Sequence, residues 1–141
     1  MNFAPLTPYA DGAKAMRIGP QSRTVPSIAI DYIGDGPMVI FLHGIGGDRS
    51  TWAHQLVAFA KAGYCAVAWD ARGYGGSDDY DGPLSFTDIA DDLARVIDAF
   101  AVNKAHIVGT SMGGRISLEF FANHPDRLPP LTLAGAHASF G

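Results

Sequence analysis

Apolar residues fall along the chain in two alternating patterns, short unbroken runs and longer stretches with apolar positions three and four apart. Ser27 to Ile33, closed by the turn Gly34-Asp35-Gly36-Pro37, reads as a strand. Met38 to Leu42 is apolar at every position and stops at His43-Gly44. A run without alternation fits a strand buried on both faces, as in a parallel sheet. Tyr64 to Trp69 has the same character, and Ala105 to Val108 and Leu131 to Ala134 read as two further short strands. Between these runs the period changes. A helix starting near Ser50 sets Trp52, Leu56 and Phe59 on one face and stops at Gly63. A second opens with Ser85 and Asp88 in capping-box spacing and carries Ile89, Leu93, Val96, Ile97 and Phe100. A third runs from Ser111 to about Ala122, ended by Asn123-His124-Pro125.

The order β, β, α, β, α, β, α, β predicts an α/β domain, a mostly parallel sheet with helices on both faces. Residues 1–24, with Pro5, Pro8 and Pro20, read as an irregular lead-in with room for one edge strand, and residues 25–141 as the domain. In such sheets ligands bind beyond the carboxyl ends of the strands. Three glycine-rich segments fall there: His43–Gly47, Arg72–Gly76 and Gly109–Gly114.

Composition narrows the partners. The 141 residues are 48% hydrophobic and 17% charged, the profile of a globular protein. A net charge of −4 without basic clusters argues against nucleic acid. The start has no basic-then-apolar leader pattern, and no apolar run approaches the roughly 18 residues of a membrane span. With Cys65 as the single cysteine, no internal disulfide is possible. A soluble cytoplasmic protein is the expectation.

Gly109-Thr110-Ser111-Met112-Gly113 has the form G-x-S-x-G and sits where a strand should turn into a helix. A serine there is held in a strained backbone, and side chains two residues either side would collide. The helix N-terminus then brings its dipole and the Met112 N–H to any oxyanion formed at Ser111. Together with His43-Gly44-Ile45-Gly46-Gly47 after a buried strand, and Asp70-Ala71-Arg72-Gly73-Tyr74-Gly75-Gly76-Ser77 after the next, the chain resembles the α/β-hydrolase superfamily from about Ser27 to Gly141.

The resemblance implies a serine hydrolase. Ser111 would be the nucleophile, and Met112 and Ile45 would supply oxyanion-hole N–H groups, with Gly46 as the alternative to Ile45. His43, Gly44, Gly46, Gly109 and Gly113 would support them, His43 as a brace. Asp70 and Arg72 would fix their loop, the alternative being a solvated turn. Ser-Met-Gly-Gly and the later His124-Pro125-Asp126-Arg127 are similar to 3-oxoadipate enol-lactonases and related esterases, which implies carboxylic esters or small lactones as substrates. A serine in place of an aspartate disfavours epoxide hydrolases and haloalkane dehalogenases. Carbon–carbon bond hydrolases and cofactor-free haloperoxidases share the motifs.

No cofactor or metal is expected. Arg49 and Asp78 stand where a dinucleotide fingerprint needs glycine, and no P-loop, calcium-loop or zinc spacing occurs. The family's acid and base follow the nucleophile in the order Asp or Glu, then His. Glu119, Asp126, His124 and His137 do not match those positions. The expectation is therefore an N-terminal part of a hydrolase core, silent alone because an unassisted serine is a poor nucleophile. Its rival is a non-catalytic binding protein, or a half-domain completed by a partner chain. Oligomeric state is left open.

Overall fold

The computed structural model describes residues 5–129. The strand expected at Leu131–Ala134 and the candidate base His137 lie outside them. Five strands form one sheet: β1 (Lys14–Ile18), β2 (Ile28–Ile33), β3 (Met38–Leu42), β4 (Cys65–Trp69) and β5 (His106–Gly109). Their spatial order is β1-β2-β4-β3-β5. β3 pairs in parallel with both β4 and β5, while β2 is antiparallel to β1 and β4. Four of the five strands thus point one way and β2 the other, the mixed but mostly parallel sheet that the alternation predicts. β1 is the edge strand inside the lead-in.

Strand side chains alternate between two cores. From β3, Met38, Ile40 and Leu42 face α2 (Phe86–Ala99) and α3 (Met112–Asn123), and Val39 and Phe41 face α1 (Ala53–Lys61). In β4, Val67 and Trp69 join the first side, and Ala66 and Ala68 the second. Leu56 on one side and Leu93, Val96, Ile97, Ile116 and Phe120 on the other are buried against them. Each such large apolar side chain contributes about 1.5–3 kcal/mol. A strand covered on both faces must be apolar throughout, which accounts for the unbroken run in β3.

Two helix starts stand where the sequence puts them, near Ser50 and at Ser85, with caps of different make. The chain enters α1 through a 3-10 turn, Arg49–Trp52, whose N-cap is Asp48 rather than Ser50. Asp48 accepts the Ser50 N–H at 2.8 Å, and its own N–H donates to Thr51 Oγ1 at 3.3 Å, a reciprocal capping box. At α2, Ser85 accepts the Asp88 N–H at 3.3 Å. Among the described residues only this forward half is made, since Asp is a methylene shorter than the usual Glu.

The topology places the site. From β3 the chain passes through α1 to β4 on one side, then through α2 to β5 on the other. Connections leaving the carboxyl end of β3 and its neighbours therefore diverge, and in such sheets that end is where ligands bind. The loops after β3, β4 and β5 all lie at that end.

Candidate active site

At the end of β5 the backbone turns at Ser111 with φ 55° and ψ −118°, a conformation that side-chain-bearing residues rarely hold. Its surroundings leave no room for anything but glycine. A Cβ on Gly109 would lie 2.4 Å from the Gly113 backbone, and one on Gly113 would lie 2.3 Å from the Leu42 carbonyl oxygen. These contacts seat the start of α3 directly on β3. The Gly113 N–H donates to the Thr110 carbonyl at 2.9 Å and the Arg115 N–H to the Ser111 carbonyl at 3.1 Å, closing the turn. Ser111 is exposed, and its hydroxyl does not cap the helix. As the first residue of α3, Met112 has an N–H without an intrahelical acceptor.

The loop after β3 lies against this turn. A Cβ on Gly44 would sit 3.1 Å from Ser111 Cβ and 3.6 Å from its Oγ, so Gly44 is where the two backbones approach. The Gly44 carbonyl is pinned twice, by His43 Nδ1 at 2.8 Å and by the Gly47 N–H at 3.0 Å. In a trans peptide the N–H points opposite the carbonyl, so fixing the Gly44 oxygen also fixes the Ile45 N–H. Gly46 supports the loop through its φ of +82°. Ile45 itself is 79% exposed.

His43 is fully buried. Its Nε2 accepts the Ala71 N–H at 3.1 Å, so the ring proton resides on Nδ1, where it reaches the Gly44 carbonyl. Both ring nitrogens are occupied, which makes His43 the expected brace and leaves no nitrogen to take a proton from Ser111.

The loop after β4 departs most from a solvated turn. Asp70, Arg72, Ser77 and Asp78 are buried. Asp70 accepts the Arg49 N–H at 2.7 Å, Arg49 Nε at 2.8 Å and the Gly76 N–H at 2.7 Å. Arg49 also pairs with Asp31, which takes the Tyr9 N–H at 2.8 Å. Burial pushes the Asp31 carboxyl above its ordinary value, outweighing the Tyr9 and Arg49 bonds, and the nearby Asp70 carboxylate adds to the effect. Arg72 grips Asp92 of α2 with Nε at 2.6 Å and Nη2 at 2.8 Å, and Arg95 joins the same carboxylate at 2.9 Å. Sequence reasoning missed Arg49, Asp31 and Asp92. Asp92 has a signal, an acidic residue one position before Leu93 in the apolar stripe of α2.

The remaining candidates lie apart. Glu119 pairs with Arg115 at 2.9 Å, and that bond, with one from Asn123, holds its carboxyl below the usual range. His124, beyond the far end of α3, meets Asp91 at 2.9 Å and stacks on Phe120. Asp126 sits in the short 3-10 turn that follows. Among the described residues no group of three His, Cys, Asp or Glu is disposed to hold a metal, and no helix is long and apolar enough to cross a membrane.

A serine at positive φ on a strand-to-helix corner and a His-Gly loop against it thus share the carboxyl end of a mostly parallel sheet. The chain belongs to the alpha/beta hydrolase fold family, whose sequence profile matches residues 37–141. It is 38% identical over 104 residues to Epoxide hydrolase 3 of Siraitia grosvenorii, covering 72% of this chain and 33% of that protein. It is 35% identical over 103 residues to the protein named "Putative carbamate hydrolase RutD" of Variovorax paradoxus (strain S110), covering 72% and 39%. The solved structure of a thermophilic esterase from Thermogutta terrifontis superposes with a TM-score of 0.74 at 28% identity, over 82% of this chain and 43% of that one. The chain thus spans 33% to 39% of the length of these two sequence relatives.

Proposed function

We propose that the protein is a serine hydrolase acting on carboxylic esters or small lactones, with Ser111 as nucleophile. The observation that carries this reading is the Ser111 turn, a serine at positive φ on a strand-to-helix corner with the Gly44 backbone against it. Ser111 Oγ attacks the substrate carbonyl while its proton passes to a base. The carbonyl oxygen becomes an oxyanion held by the Ile45 and Met112 N–H groups. Collapse expels the alcohol oxygen, which takes the proton back, and water cleaves the acyl–Ser111 ester. With both nitrogens of His43 engaged, the base is expected outside residues 5–129.

The relatives named for epoxide and carbamate hydrolysis divide on chemical grounds. A carbamate offers a carbonyl and suits the same steps. Opening an epoxide with Ser111 would leave an alkyl ether, which water does not cleave at neutral pH, so turnover would stop after one event. A serine at this corner therefore favours acyl substrates. A cytosolic setting fits a stretch with one cysteine.

The test uses the full-length protein with p-nitrophenyl butyrate, γ-butyrolactone and styrene oxide, together with fluorophosphonate labelling. Ester or lactone turnover and labelling are expected, both abolished in Ser111→Ala. Diol formation from styrene oxide without ester turnover, or ester turnover surviving Ser111→Ala, would overturn the reading.

A further inference from the structure

We infer that Tyr74 is a positioning residue that couples the two halves of the oxyanion hole, an inference resting on the serine-hydrolase reading. Tyr74 belongs to the loop after β4 and contributes no backbone to the nucleophile turn or the His-Gly loop. Its hydroxyl nevertheless donates to Met112 Sδ at 3.6 Å, and its ring lies 5.0 Å from the His43 ring at a 54° tilt. Each contact leads to one oxyanion donor. Met112 carries the first donor on its own backbone, so holding its side chain restrains the first residue of α3. His43 pins the Gly44 carbonyl and so aims the second donor, the Ile45 N–H.

Tyr74 is itself held on the same frame. Its N–H donates to the Ala71 carbonyl at 2.9 Å and its carbonyl accepts the Ser77 N–H at 2.9 Å. Ala71 in turn donates to His43 Nε2. The path from His43 through Ala71 and Tyr74 to Met112 thus links all three loops at the strand ends. An oxyanion hole works only if its donors keep a fixed separation, because they must meet the same oxygen as its charge develops. Tyr74 is the side chain that touches the supports of both.

The experiment is steady-state hydrolysis of p-nitrophenyl butyrate by full-length wild type, Tyr74→Phe, Met112→Leu and the double variant, with a trifluoromethyl ketone as tetrahedral analogue. Tyr74→Phe removes only the hydroxyl, and Met112→Leu removes the sulfur while keeping the backbone N–H. Tyr74→Phe should lower kcat about three- to tenfold, the worth of one net hydrogen bond, and leave KM unchanged. Ketone affinity should fall by the same factor, and the double variant should be no worse than the poorer single one. An unchanged kcat in Tyr74→Phe, an effect confined to KM, or losses that multiply in the double variant would sink the inference. Wild type and Ser111→Ala run alongside keep the two failures apart. A wild type inactive on esters counts against the serine-hydrolase reading, and an active wild type with an unaltered Tyr74→Phe counts against Tyr74 alone.

Discussion

Two corners at the same end of the sheet hold their shapes by different means. Leaving β5, the chain turns at Ser111 on backbone contacts, with Gly109 and Gly113 admitting neighbours to 2.4 and 2.3 Å of where a Cβ would be. Leaving β4, it turns at Asp70 on buried charge, with Arg49, Asp31, Arg72 and Asp92 all at most 5% exposed. The difference follows from what each corner presents. The first holds an exposed Ser111 at positive φ, so the residues around it are reduced to backbone. The second turns its side chains inward and joins them in ion pairs. Buried pairs add little net stability but make removal of one partner costly, so this corner is fixed in register more than it is strengthened.

The contrast can be broken from either side. Gly113→Val should have the largest effect. Its side chain must enter the Leu42 backbone, and unfolding or a loss of about 4–5 kcal/mol in a urea melt is expected. Asp70→Ala should come next at about 3–5 kcal/mol, because it leaves the Arg49 and Gly76 N–H groups without their acceptor and Arg49 with Asp31 alone. If Asp70→Ala melts like wild type, buried charge does not hold this corner. Arg72→Lys keeps the charge but gives up the two-pronged grip on Asp92, and should lower stability by about 1–2 kcal/mol.

Asp31→Asn should be smallest and should depend on pH. The native Asp31 carboxyl binds its proton more tightly than the unfolded one. Through the window from about pH 4 upward the folded state therefore holds more protons, and Asp31 makes stability fall as pH rises. Removing the charge removes that slope, so the variant should gain on wild type in urea melts taken from pH 4 to pH 7. A gap that stays constant, or that narrows toward pH 7, would show that Asp31 does not titrate in this way.

How much of this was legible in the sequence divides along the same line. The elbow was legible, because its constraints act on backbone and need glycine at fixed offsets. Gly109, Gly113 and the corner at Ser111 stand where the motif puts them. The unbroken run in β3 likewise gave away a strand covered on both faces. The charge-built corner was only half legible. Asp70 and Arg72 were visible in their loop, but their partners Arg49 and Asp92 come from elements 21 and 20 residues away. Nothing local marks an arginine in the first turn of a helix as buried. The cap of that helix was hidden similarly, since Asp48 resembles a loop residue until Thr51 answers it.

A last consequence lies in the Ser111 side chain, which takes no part in shaping its own corner. The form of the turn belongs to its neighbours, and the identity of the atom it offers belongs to one codon. A scaffold divided in that way can change the group it presents without rebuilding its frame. Substitutions at position 111 are limited by its positive φ alone, while those at 109 and 113 meet backbone at once.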